Sequence, residues 1–139
     1  MSEASNVHPY VLAALLCDSI ITEAQTGKKT LVGLFENVFV RSFPAVHQLA
    51  IYLKITDAHG PYRFRLDYVD IANDHILDSQ EIGELTVPDR LQSGDIVVNI
   101  AVPIPTPGPY EFRFYANGFY LSRVAFRAIP LPDPAQTEG

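Results

Sequence analysis

Apolar and polar residues alternate along much of the chain, and this pattern predicts strands that each bury one face. The longest run places Leu49, Leu53 and Ile55 on the same side of one extended segment. Similar alternation predicts strands over 62–69, 96–102 and 110–114. Helical periodicity is nearly absent, so the pattern favours an all-β domain.

Three less regular segments complete the predicted strand set. Residues 11–21 are rich in Leu and Ala, but the turn-forming stretch 25–29 and the β-branched run 30–40 favour a hairpin over a helix. The polar pair 36–37 interrupts the second arm and indicates a β-bulge. The polar segment 76–87 is typical of an edge strand or of two short strands. Together these segments predict an immunoglobulin-like antiparallel β-sandwich of about seven to nine strands, although a barrel has similar patterns.

The last two predicted strands meet at Asn117-Gly118, where two turn types predict different registers. A two-residue turn places Arg123 opposite Phe112, among aromatic side chains. A three-residue loop shifts the register by one residue, so that Arg123 faces Glu111 on the outer side of the sheet. We therefore predict the three-residue loop.

The length and composition limit the class of protein. The chain has 139 residues, which is enough for one hydrophobic core, and we predict a single domain over 10–131. We expect a flexible segment at 1–9 and a disordered Pro-rich tail at 132–139. The net charge of −6 disfavours nucleic acid as a partner. No apolar run is long enough for a signal or a membrane segment, so we expect a cytoplasmic protein without a membrane partner.

The segment that begins with Gly108-Pro109 and continues to Tyr110 and Phe112 resembles the penultimate strand of immunoglobulin-like sandwiches. In those domains a tyrosine at the strand corner bonds back to the backbone. The chain has one cysteine and no tryptophan, so it lacks the disulfide and the buried tryptophan of antibody domains. The resemblance therefore implies a sandwich of this general kind.

A broader resemblance spans residues 10–131 and rests on several short motifs. These motifs lie at 14–18, 22–24, 28–35, 43–44, 62–64 and 110–113. With them the chain resembles a family of small uncharacterised bacterial proteins that is known only as a domain of unknown function. The resemblance implies a bacterial, cytoplasmic protein, and it implies no catalytic residues and no cofactor.

The two ends of the predicted sandwich each gather side chains that suit a metal ion. If every strand crosses the sandwich, one end holds three histidines and a carboxylate, which are donors that zinc prefers. They are His8, His47, His75 and Asp74. The other end holds three carboxylates, which are donors that calcium prefers. They are Asp57, Asp89 and Asp95. Solvated loop histidines and turn-forming aspartates are the simpler interpretation of both sets.

Aromatic and basic side chains on the closing hairpin are the candidate partner-binding residues. They are Tyr115, Phe119, Tyr120, Arg113 and Arg123. The predicted register pairs Tyr115 with Phe119 on the outer face. Exposed aromatics and arginines are typical of protein interfaces, and the arginines suit an acidic partner. Cross-strand charge pairs on a solvated face are the simpler interpretation of the arginines.

The sequence offers little for catalysis. Cys17 lies in an apolar run with no histidine near it, so we expect a buried and unreactive thiol. No nucleophile elbow, phosphate loop or dinucleotide-binding motif occurs, so we do not expect an enzyme. We predict a non-catalytic interaction or assembly module that binds a protein partner, or a second copy as a homo-oligomer, through an exposed sheet face or edge. The alternative is a ligand-binding module that uses the loops at one end for a metal ion, a sugar or a small molecule.

Overall fold

A computed structural model describes residues 8–132, and within this range the chain forms nine strands and no helix. The strands are β1 (Tyr10–Thr22), β2 (Lys29–Leu34), β3 (Asn37–Val40), β4 (Ala45–Thr56), β5 (Gly60–Asp70), β6 (His75–Val87), β7 (Gly94–Ile104), β8 (Gly108–Ala116) and β9 (Phe119–Pro130). Of the predicted terminal segments, residues 1–7 and 133–139 lie outside the described range.

The nine strands form two sheets that pack as a sandwich. The first sheet has the order β2-β1-β4-β7, and the second has the order β3-β9-β8-β5-β6. Neighbouring strands are antiparallel except β3 and β9, which are parallel. The all-β sandwich and the predicted number of strands are confirmed, whereas the immunoglobulin-like assignment stays a prediction.

The core contains a group of aromatic rings on the inner face of the second sheet. Tyr68 and Phe112 have ring centroids 5.0 Å apart, and Tyr110 and Phe126 are 5.5 Å apart. The hydroxyl of Tyr110 donates a hydrogen bond of 2.7 Å to the carbonyl of Thr106, which confirms the predicted contact between a corner tyrosine and the backbone. These rings fill the space between the sheets with large apolar surfaces.

One hydrogen bond joins the two sheets across this core. The hydroxyl of Tyr68 in β5 donates to the carbonyl of Pro103 in β7 at 2.7 Å. Burial is the main cause that raises the pKa of Tyr68 well above its usual value, so the ring stays neutral and keeps its donor. The bond satisfies the polar end of a buried tyrosine and fixes the relative position of β5 and β7.

The turn between β8 and β9 shows that the predicted three-residue loop is wrong. The turn has two residues, Asn117 and Gly118, with φ angles of 49° and 86°. Two positive φ angles are those of a type I′ turn, which matches the twist of the flanking strands. Phe119 therefore pairs with Ala116 and not with Tyr115.

A β-bulge at Leu121 restores the apolar face that the longer loop was expected to provide. Beyond the bulge Phe112 pairs with Val124, so apolar side chains face each other on the inner side. Arg123 is not opposite Glu111 in the ladder, but its Nη1 still lies 3.0 Å from Glu111 Oε1. The predicted contact between opposite charges is thus present with a different register.

The run 30–40 forms two strands in different sheets, so the single strand with a bulge that we predicted there is wrong. β2 ends at Leu34 and β3 begins at Asn37 on the other side of the sandwich. Phe35 packs against the core at this crossover. The polar pair 36–37 marks the point where the chain changes sheet, a non-local event that alternation does not reveal.

β1 runs along β4 from one end of the first sheet and then bends back toward that end. Its first half pairs with β4, and from Cys17 onward it pairs with β2. Lys29, at the start of β2, lies 3.3 Å from Asp95. Asp95 pairs with Lys54 near the end of β4, and β1 begins at this same end of the sheet. Gly33 lies at the bend with a φ of 74°, and a side chain there would collide with the carboxylate of Asp18. The β1–β2 hairpin therefore bends over the outer face of its own sheet.

Candidate interaction surface

One row of side chains crosses β5, β8 and β9 on the outer face of the second sheet. Arg65 pairs with Tyr115, and Tyr115 pairs with Tyr120. Arg65 Cζ lies 4.0 Å from the centroid of the Tyr115 ring, and the two tyrosine rings meet edge to face at 5.8 Å. The first is an attractive contact between a cation and a ring face, and the second is an attractive contact between two aromatic rings. Since Tyr120 is 53% exposed, the row presents an ordered aromatic and cationic surface to solvent.

The next two rows contain a buried carboxylate that holds two arginines. Glu111 is 4% exposed, and its oxygens accept hydrogen bonds from Arg113 Nε and Arg123 Nη1. Burial raises the pKa of Glu111, but the hydrogen bonds and charges of the two arginines outweigh this effect, so the pKa lies below its usual value. Arg113 and Arg123 face each other across the strands, and the shared carboxylate offsets their repulsion.

A second buried carboxylate supports the other end of the surface. Asp67 Oδ1 accepts a hydrogen bond of 2.6 Å from Ser79 and one of 3.2 Å from Arg65 Nε. Asp67 is 5% exposed and lies next to Arg113 in the β5–β8 ladder. The arginines are thus held from beneath by groups that solvent does not reach. We call Arg65, Arg113, Tyr115, Tyr120 and Arg123 the hairpin surface.

Phe119, which we predicted to share this face with Tyr115, lies elsewhere. Its pairing with Ala116 places it on the inner side of the hairpin, where its ring meets His8 at a centroid distance of 4.0 Å. Arg65, in contrast, is part of the surface, although it lies on β5 and is not among the candidate residues of the closing hairpin. The outward alternation of β5 was visible in the sequence, but the β5–β8 pairing that puts Arg65 on Tyr115 was not.

The structure does not bring the four predicted zinc ligands together. His8 lies beside Phe119, next to the β8–β9 turn, because β1 begins at the opposite end from the one that we predicted. His47 contacts Phe35 at 6.2 Å between ring centroids, and His75 follows Asp74 at the start of β6. Within residues 8–132 no three His, Cys, Asp or Glu side chains form a group that could hold a metal ion.

The three carboxylates of the predicted calcium end are engaged separately. Asp95 accepts a hydrogen bond of 3.0 Å from Tyr52 and pairs with Lys29. Asp57 lies 3.7 Å from Arg90. Asp89 accepts a backbone hydrogen bond within its own turn. Asp89 thus serves its own turn, as the simpler interpretation expects, whereas Asp57 and Asp95 are paired with cations of other segments.

Cys17 is fully buried, as the sequence predicts. Its Sγ lies 3.4 Å from the carbonyl of Ser19 and 3.8 Å from that of Ala50. Burial, followed by the charge of Asp18, raises the pKa of the thiol. A reactive cysteine needs a stabilised thiolate, and this environment favours the neutral thiol.

The family to which the chain belongs follows from a match over most of its length. A family of unknown function, DUF6941, matches residues 12–129. The chain belongs to this family. The match confirms the resemblance to a domain of unknown function, whereas the bacterial origin stays a prediction. No curated protein matches the sequence.

Two solved structures are similar to the DUF6941 chain at low identity. One is the Pseudomonas fluorescens alkylpurine DNA glycosylase AlkC bound to DNA containing an abasic site analog, with 11% identity, a TM-score of 0.46, and coverage of 84% of this chain and 30% of that chain. The other is a beta-glucosidase from Listeria innocua in complex with isofagomine, with 8% identity, a TM-score of 0.41, and coverage of 88% and 17%. The chain spans less than a third of either, and neither likeness bears on function.

No helix in residues 8–132 is long and apolar enough to cross a bilayer.

Proposed function

We propose that this DUF6941 chain is a non-catalytic protein-interaction module of the cytoplasm, and that the hairpin surface is where it binds a protein partner. The observation that carries the proposal is the ordered row of Arg65, Tyr115 and Tyr120 on an exposed sheet face. Tyr and Arg are enriched at the residues that supply most of the binding energy in protein interfaces.

The side chains of the hairpin surface are held in place before any partner arrives. Tyr115 is fixed between Arg65 and Tyr120, and the Glu111 carboxylate holds the other two arginines. Ordering a flexible side chain on binding costs about 0.5–1.5 kcal/mol each. A surface whose members are already ordered avoids much of this cost, which favours a binding role over a purely solvated face.

The charge of the surface indicates the chemistry of the partner. The three arginines of the surface stand against the two buried carboxylates, Glu111 and Asp67, and exposed Glu81 lies opposite Arg65, so the positive excess lies at Arg113 and Arg123, on a chain whose total is −6. The side chains of Arg65 and Arg123 are 41% and 62% exposed, and their guanidinium groups retain donors for other acceptors. An acidic segment with an apolar side chain to cover Tyr120 fits this surface.

The ligand-binding alternative has less support. Its metal ligands were expected at the loop ends, and the loop carboxylates there are engaged with Arg90, Lys29 and a turn amide. A cavity of about 640 Å³ opens on the side of the sandwich between β1 and β9 and not at either loop end.

The test compares the proteins that copurify with three forms of the chain from cells that make it naturally. The forms are the wild type, Tyr115→Ser/Tyr120→Ser, and the control Phe39→Ser/Ile76→Ser, which removes side chains that are 58% and 50% exposed on other strands. We expect one protein that the wild type and the control retain and that the tyrosine variant loses at least tenfold. If quantitative mass spectrometry finds no protein that depends on the two tyrosines, the proposal is wrong.

A further inference from the structure

β7 is a long edge strand with one partner. It forms eleven consecutive pairs with β4, from Ala45 opposite Ile104 to Ile55 opposite Gly94, without a register shift. Within residues 8–132 no strand pairs with the other side of β7. An edge of this length presents a regular row of backbone donors and acceptors that can pair with another strand.

The features that protect such an edge are confined to the two ends of β7. Asp95 is its only ionisable residue, and the segment 96–102 consists of Asn99 and six apolar residues, five of which are Val or Ile. Its single proline, Pro103, lies at the far end. A regular, apolar, uncharged segment with high β propensity is an aggregation hazard unless another strand covers it.

The other sheet edges are protected. β6 carries the carboxylates Asp78, Glu81 and Glu84 and has two register shifts against β5. β3 has four residues, and β2 has six with a left-handed glycine at Gly33. Short length, charge and irregular register each prevent pairing with another chain. β7 is therefore the edge of the described fold that is suited to receive a strand.

We propose that β7 pairs in antiparallel orientation with β7 of a second copy of the chain, about a two-fold axis at Asn99. Asn99 is the middle residue of Gly94–Ile104, so this register uses the whole strand and joins the two four-stranded sheets into one sheet of eight strands. The proposal goes beyond the hairpin surface, which lies on the other sheet, and does not depend on it.

The charge on β7 favours a second copy in this orientation. In the antiparallel pair the two Asp95 side chains lie at opposite ends, each facing Pro103 of the other strand, whereas a parallel pair in the same register would place them side by side. Asp95 is already neutralised by Lys29 of its own chain at 3.3 Å. A copy of β7 thus meets the edge without an uncompensated charge.

The apolar inner side chains of β7 also gain from this pairing. Ile96, Val98 and Ile100 pack against the core but remain partly exposed at the open side of the sandwich. A second copy of the strand removes more of their surface from water, which stabilises association in proportion to the apolar area covered. Isologous pairing of this kind closes as a dimer and leaves no free β7 edge.

A charge-swap experiment at the axis tests both the partner and the register. Asn99 is exposed, so Asn99→Lys and Asn99→Asp are expected to fold, which circular dichroism checks. In the proposed dimer each substitution places like charges directly opposite each other, and a mixture of the two places opposite charges there. Light scattering at equal concentration should give a dimer for the wild type, monomers for each variant alone, and a dimer again for the equimolar mixture.

Two controls separate this proposal from general effects and from the proposed function. Asn37→Lys makes the same change at an exposed position of β3 and should leave the dimer intact. Tyr115→Ser/Tyr120→Ser on the hairpin surface should also leave it intact. A monomeric wild type, single variants that stay dimeric, or a mixture that stays monomeric would each overturn the β7 dimer. None of these results changes the expected loss of a partner in the tyrosine variant, so the two proposals fail independently.

Discussion

Replacing Glu111 with Gln should remove the carboxylate that organises half of the hairpin surface. Glu111 is 4% exposed and accepts hydrogen bonds from Arg113 and Arg123. Hydrogen bonds to a charged group contribute about 1.5–3 kcal/mol each, and the amide oxygen of Gln can keep one of them in weaker, neutral form. We therefore expect the free energy of unfolding at pH 7 to fall by about 2 kcal/mol in urea titrations.

The pH dependence of this difference follows from the pKa of Glu111. The folded pKa lies below the ordinary value of 4.5, so the carboxylate contributes its full stabilisation above about pH 4.5 and loses it as the pH falls through the folded pKa. Once protonated, the wild-type side chain resembles the amide of the variant. The difference in unfolding free energy between wild type and Glu111→Gln should therefore shrink as the pH falls below 4.5.

Glu84→Gln is the matched control for this prediction. Glu84 pairs with Arg63 at 3.1 Å, but both side chains are 68% exposed, so its loss should change the unfolding free energy by no more than about 0.5 kcal/mol. The reasoning is refuted if Glu111→Gln is as mild as Glu84→Gln, or if its effect is the same at pH 7 and pH 3.

Three further substitutions or reagents test other parts of the fold. Tyr110→Phe should lower the unfolding free energy by about 0.5–1.5 kcal/mol in urea, because it removes the hydrogen bonds between the Tyr110 hydroxyl and the backbone of Thr106, while Tyr10→Phe at an exposed position should be near neutral. Gly33→Ala should lower the thermal midpoint more than Gly27→Ala, since both have a positive φ but a side chain collides only at Gly33. Cys17 should react with a thiol reagent in urea and not in the native protein, and rapid native labelling would contradict its burial.

The alternation of apolar and polar residues predicts best those strands that bury one face in the core and expose the other. β4 shows this clearly, because Leu49, Ile51 and Leu53 all point into the core as the pattern requires. The fold-back of β1 and the change of sheet after Leu34 were not predictable in this way. Both depend on packing between segments far apart in the chain, which local periodicity does not record.

The hairpin surface was predicted only in part for a related reason. A longer loop was expected because it keeps Arg123 away from the aromatic core, whereas the chain keeps the favoured two-residue turn and corrects the register with a bulge at Leu121. Tyr115 and Tyr120 consequently share a face, and Phe119 does not. Arg65 enters the surface through the β5–β8 pairing, and no single segment of sequence carries that information.

The most direct test of the claim that this chain acts by binding proteins is site-specific photo-cross-linking in cells that make it naturally. A photoreactive amino acid is placed in turn at Tyr120 on the hairpin surface, at Asn99 on the β7 edge, and at Ile76, which is 50% exposed on β6. We expect adducts with another protein from position 120, adducts with a second copy from position 99, and no adduct of either kind from position 76. Equal labelling from all three positions, or no adduct from 120 and 99, would contradict the claim.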